Sequence, residues 1–192
     1  GGATLTNADL HRSGALPAAA VEAAEAIVGA VRAGGDEAVR GFCLEFDGAA
    51  PRSFRVPDDV VAGALSQVDP RFLTALEKAH AQIEDFHRRE VRQSWFTTKP
   101  DGTLLGVKVS PLASAGIYVP GGRAQYPSTV LMNAVPAKVA GVGRVVMVTP
   151  PQRDGSLSAY TLAAAAVAGV DEVYAVGGAQ AVAALAYGTE TI

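Results

Sequence analysis

The stretch "GIYVPGG", residues 116–122, decides how the rest of the chain reads. Ile117, Tyr118 and Val119 favour an extended strand. Pro120, Gly121 and Gly122 then stop it abruptly. A helical run follows from about Pro127 to Ala140, so the unit is strand, turn, helix. The same unit recurs downstream. "GRVVMVT" (143–149) is a strand, "PP" a turn, and about Ser156 to Ala168 a helix. "DEVYAV" (171–176) is a strand, "GG" a turn, and about Ala179 to Tyr187 a helix. The strands return about every 28 residues, a length that suits a βα unit feeding a parallel neighbour. The crossovers are expected to be right-handed.

In such a sheet the strands point the same way, and their turns lie along one edge. Ligands of open α/β sheets bind at that edge. Glycines there let a ligand approach the backbone and expose helix N-terminal N–H groups. Tyr118 lies one residue before the expected strand end at Val119, where its ring can stack on a flat ligand. Gln180, in the first turn of the last helix, brings an amide that both donates and accepts. The same residues also fit a plain tight turn and a core tyrosine. They point to a ligand edge without naming the ligand. No G-x-G-x-x-G follows a strand, since "GVGRVV" (141–146) precedes one, and no G-x-x-x-x-G-K-[ST] is present.

Upstream of about residue 110 the pattern is mostly helical. A helix is expected over 17–33, with Ala20, Ala23, Ala24, Ile27, Val28 and Val31 on one face and Gly34-Gly35 as its stop. Asp36 is placed to cap a second helix through about Phe46. A third runs from about Asp58 to Val68. Asp69-Pro70 opens the longest, about 71–91, with Phe72, Leu76, Ala79, Ile83 and Phe86 as its apolar stripe. Pro100-Asp101-Gly102 joins two β-prone runs, 95–98 and 103–109, into a hairpin. Two regions follow: a mainly helical one with the hairpin, residues 1–110, and a βαβαβα one, residues 111–192.

Composition narrows the function. Apolar residues make up 49% and charged residues 18%, which marks a globular chain. A net charge of -3 offers no basic surface for nucleic acid. The single cysteine, Cys43, excludes an internal disulfide and reads as a small buried hydrophobe. No run reaches the ~18 apolar residues that cross a bilayer. "TLAAAAVAGV" (161–170) is too short, and the N-terminus lacks the basic-then-apolar order of a secretory signal. A cytoplasmic protein without nucleic-acid or membrane partners is expected. His80, Glu84 and His87 share a helix face, and Glu84-x-x-His87 is a spacing used by carboxylate metal sites. Their charged neighbours make a solvated face the expected reading. His11 stands isolated near the terminus. Lys138, Pro136 and Asn133 lie on one helix, where structural roles are expected.

Three long segments carry a resemblance to a known family. "GIYVPGGRAQYPSTVLMNAVPAKVAGV" (116–142), "VVMVTPP" (145–151) and "VYAVGGAQAVAALAYGTETI" (173–192) resemble histidinol dehydrogenases, as do "GDEAVRGFCLEFDG" (35–48) and "IEDFHRRE" (83–90). The resemblance implies an α/β fold: a helical N-terminal half with a β-hairpin, then an incomplete Rossmann-like parallel βα unit. It implies two successive oxidations, from L-histidinol through the aldehyde to L-histidine. It also implies NAD used twice, zinc at the substrate, and a homodimer. The family's NAD contacts fall on Tyr118 and Gln180. Its zinc ligands and its Glu-His general-base pair find no counterpart in residues 1–192 and are expected downstream of Ile192. No catalytic or metal residue is therefore assigned here. The chain is expected to be an N-terminal portion, inactive alone. Two alternatives stay open at this point: a related NAD-dependent dehydrogenase of another small alcohol, and a non-catalytic binding or assembly module.

Overall fold

A computed structural model describes residues 16–121, 125–152 and 154–192. Three parallel strands lie at its centre: β3 (Ser114–Tyr118), β4 (Arg144–Thr149) and β5 (Glu172–Ala175), in the order β3-β4-β5. Tyr118 pairs with Val148, and Val148 with Tyr174, so the three C-terminal ends finish level. Helices α4 (Pro127–Val139), α5 (Ala159–Val167) and α6 (Gly178–Tyr187) follow the strands in turn. The mixed α/β architecture with a small parallel sheet is the one the βα rhythm predicts.

A parallel sheet has to be covered on both faces, and alternation along β4 shows how this is done. Val145 and Met147 face α4 and α5, where Val130, Leu131, Ala134 and Leu162 close the core. Val146 and Val148 face the other way, toward Ala181 and Ala184 of α6. That second face also receives α1 (Ala18–Asp47), through Val31, Val39 and Cys43. Behind α4 and α5 lie α2 (Asp58–Gly63), a 3-10 turn (Ala64–Ser66) and α3 (Pro70–Arg88). The helices of the N-terminal half thus cover the sheet that is present. The hairpin, β1 (Trp95–Thr98) and β2 (Leu104–Val107), stands apart with every residue exposed.

The sheet edges differ. Beside β5, the Val56 N–H donates to the Val173 carbonyl and the Ala175 N–H to the Phe54 carbonyl, both at 2.8 Å. Residues 54–56 therefore close that edge with an antiparallel bridge, Arg55 to Tyr174. Among the described residues, β3 has no strand on its outer side.

Other differences have local causes. Gly34-Gly35 does not end α1, because the helix resumes after one non-helical residue, Gly35 (φ 53°, ψ −138°). A side chain there would be strained by the positive φ and would overlap the Glu190 carboxylate. That carboxylate accepts from the Asp36 N–H at 2.8 Å, so Glu190 caps the resumed helix. Asp36 instead accepts from the hydroxyls of Thr189 (2.5 Å) and Thr191. Asp69 does cap α3, accepting from the Arg71 N–H at 2.7 Å. On α3, Phe86 is 63% exposed, whereas His80, Glu84 and His87 are half-buried and border clefts against α4. The expected solvated face is thereby corrected. Leu76, His80, Ile83 and His87 succeed one another at helical spacing, and α3 meets α4 along that line.

At the N-terminal end of the sheet, Arg144 donates to both Glu172 oxygens at 2.8 Å. Chiefly through that bidentate pair, the Glu172 carboxyl is lowered to about 2. A carboxylate depressed in the folded state adds stability above its unfolded pKa near 4.5, and loses it as pH falls toward 2. Arg144→Met should remove that part of the acid-side loss. With Arg144 half exposed the effect is on the order of 1 kcal/mol, read from urea unfolding between pH 7 and 2. Met147 is fully buried, so Met147→Ala should cost about 2–5 kcal/mol in the same assay.

Candidate functional site

The turns after β3, β4 and β5 converge at the C-terminal edge of the sheet. The Val119 N–H still donates to the Val148 carbonyl at 3.0 Å, which extends the ladder one residue past β3. Pro150 then forms the hub. A Cβ on Gly121 would come within 2.9 Å of the Pro150 carbonyl, and one on Gly177 would overlap the Pro150 ring. Only glycine lets these flanking turns approach the central one so closely. Gly122, Arg123 and Ala124 lie outside the described residues, as does His11.

Both sequence-predicted binding residues meet at Gly178. Tyr118 is the last residue of β3 and is 36% exposed at the edge. Its hydroxyl accepts from the Gly178 N–H at 3.1 Å, which ties β3 to the first residue of α6. Gln180 sits on the other side, 1% exposed. Its Oε1 folds back so far that a Cβ on Gly178 would overlap it. That oxygen is buried and has no hydrogen-bond partner among the described residues. Cys43 of α1 lies beside this amide, and burial first, then the Asp47 charge, pushes its thiol up, against the opposing influence of Arg40 and Gln180. It behaves as the buried small hydrophobe the sequence suggests.

The edge holds further polar residues that no sequence motif marks. Ser158, not Ser156, starts α5, and its hydroxyl oxygen accepts from the Thr161 N–H at 3.4 Å. That hydroxyl donates to Gln125 Oε1 at 2.6 Å, bridging the turn after β3 to α5. With buried Thr149 and with Gln152, these residues line a small recess beside Pro150. The one available signal was the preference of serine for the N-cap position.

The other residues singled out in the sequence serve structure. Asn133 Nδ2 donates back to the Thr129 carbonyl at 2.8 Å, and Lys138 pairs with Asp171 at 2.6 Å. Glu84 is engaged by Arg88 at 2.7 Å, and His87 by Glu90. Among the described residues, no group of three or more His, Cys, Asp or Glu side chains is disposed to hold a metal ion. Among them, no helix is long and apolar enough to cross a membrane.

This is an α/β protein of the class whose ligand edge lies at the carboxyl ends of parallel strands. Comparison with known proteins gives the family. The histidinol dehydrogenase family model matches residues 10–192. A histidinol dehydrogenase of Bacillus licheniformis is 52% identical over 171 residues, 89% of this chain and 40% of that protein. One from a Synechococcus species is 55% identical over 168 residues, 86% of this chain and 39% of that protein. The crystal structure of histidinol dehydrogenase from Elizabethkingia anophelis superposes with a TM-score of 0.86 at 29% identity, covering 95% of this chain and 42% of that one. The chain belongs to the histidinol dehydrogenase family. It spans about 40% of the length of the curated relatives it matches.

An unpaired buried acceptor destabilises a fold, and removing it with a side chain of similar shape relieves that cost. Gln180→Met should therefore raise the stability of the ligand-free protein by about 1 kcal/mol, measured by urea unfolding.

Proposed function

We infer that this chain is the nucleotide-binding portion of an NAD-dependent enzyme that oxidises L-histidinol to L-histidine through the aldehyde, a step of histidine biosynthesis. The membership of the family supports the reaction. One observation carries the assignment of the site: Tyr118 and Gln180 meet at Gly178, on the edge where α/β sheets hold their ligands. The residues fit a dinucleotide. Tyr118 offers an exposed ring face for a flat heterocycle. Gln180 holds a buried amide oxygen without a hydrogen-bond partner among the described residues. Pro150 and the glycine turns bring backbone to the same place. NAD, when bound, supplies the acceptor for the hydride.

The roles of the chain's own groups follow from their chemistry. Tyr118 packs on the ligand and fixes the plane of its ring. Gln180 orients the ligand by hydrogen bonding through its amide. The prolines after β4 shape one wall of the site and keep its backbone rigid. Zinc, which the family reading also implies, finds no fitting ligand set among the described residues. A homodimer is supported by apolar surface left bare on the hairpin, where Trp95, Phe96 and Leu104 are each more than half exposed.

Tyr118→Ala should weaken NAD binding by about tenfold, the loss expected for one stacked ring. It should also slow NAD-linked oxidation of L-histidinol at subsaturating NAD. Calorimetric titration with NAD and the absorbance of NADH read the two effects. An unchanged affinity for NAD would remove Tyr118 from the site.

A further inference from the structure

We propose that Ser158 is a positioning residue for the ligand edge, which holds the Gln125 amide so that its N–H groups donate to a neutral oxygen of the ligand. The proposal rests on the dinucleotide reading above and adds a contact on the α4 and α5 side of Pro150, apart from Gly178. Gln125 lies two residues before α4, and Ser158 immediately before α5. Although 33 residues apart in sequence, they meet in the small recess beside Pro150.

The hydrogen bonds of Ser158 are lopsided for a residue that only caps a helix. A cap needs its oxygen as an acceptor. That bond, from the Thr161 N–H, is the long one at 3.4 Å. The short one, at 2.6 Å, is donated by the hydroxyl to Gln125 Oε1. Ser158 is buried, whereas Gln125 is exposed. Tying down an exposed glutamine costs rotamer freedom comparable to what one neutral hydrogen bond returns. Stability alone therefore does not account for the bond.

The consequence of the bond is directional. A glutamine amide is planar, with an acceptor on one side and two donors on the other. With the oxygen held on Ser158, the N–H groups keep one orientation and are left to reach a different acceptor. An amide that turned freely would have to be ordered by the ligand, which lowers affinity. Gln125 shares the recess with Thr149, Gln152 and Thr161, and none of the residues lining it is charged. The partner that suits this lining is an uncharged oxygen, of the kind a sugar hydroxyl carries, rather than a phosphate.

A double-mutant cycle separates positioning from capping. Calorimetric titration with NAD is run on the wild-type protein, Gln125→Met, Ser158→Ala, the double variant and Tyr118→Ala, with urea unfolding as the measure of stability. Gln125→Met and Ser158→Ala should each weaken NAD binding by about fivefold, the effect of one hydrogen bond. Ser158→Ala should weaken it no further in the Gln125→Met background, although the loss of the cap still lowers stability there. Ser158→Thr, which keeps the hydroxyl, should bind NAD as the wild type does. An equal loss from Ser158→Ala in both backgrounds would reduce Ser158 to a cap and overturn the proposal. Unchanged affinity in Gln125→Met, with Tyr118→Ala weakened, overturns it alone and leaves the dinucleotide reading standing. No NAD binding by the wild-type protein sinks both.

Discussion

Most of the described fold answers to one constraint: a parallel sheet cannot leave either face in water. The strands are only four to six residues long, so they cannot bury much surface by themselves. The helices that join them, α4, α5 and α6, supply part of the cover. The rest comes from the N-terminal helices, with α1 on one face and α2 and α3 behind the other. Residues 54–56 close the β5 edge by the same logic. Hydrophobic burial thus ties both halves of the sequence into shared cores.

With the faces and one edge sealed, the turns at the carboxyl ends of the strands converge around Pro150. The packing there is tight around Pro150 and loose in hydrogen bonding at Gln180. The combination is informative. Residues that only stabilise a fold satisfy their polar atoms, whereas a binding site keeps some capacity in reserve. Tyr118 lies at the boundary of the two, bonded to α6 through its hydroxyl and exposed through its ring.

The βα half was legible because each strand carries β-branched or aromatic residues and is followed by a glycine or proline turn. Those signals are local. Three other features were invisible because their causes are distant. Gly34-Gly35 reads as a helix stop. The helix resumes because Glu190, more than 150 residues away, caps it at Asp36. Residues 54–56 have no periodicity to show, yet they pair with β5. His80 and His87 sit in a charged stretch, and only the approach of α4 half-buries them. At the site, the ring of Tyr118 and the amide of Gln180 could be placed at the edge from sequence. Their meeting at Gly178, and the burial of Gln180, depend on how β3 and α6 pack.

The central claim is that the dinucleotide binds at the carboxyl edge of the sheet, around Gly178. Amide chemical-shift mapping of the isotope-labelled protein during titration with NAD tests it most directly. The account predicts that the largest shifts fall on Tyr118, Gly121, Gly178 and Gln180, while the cleft between α3 and α4 stays quiet. Shifts concentrated at His80, Glu84 and Lys138, with Gly178 unmoved, would contradict it.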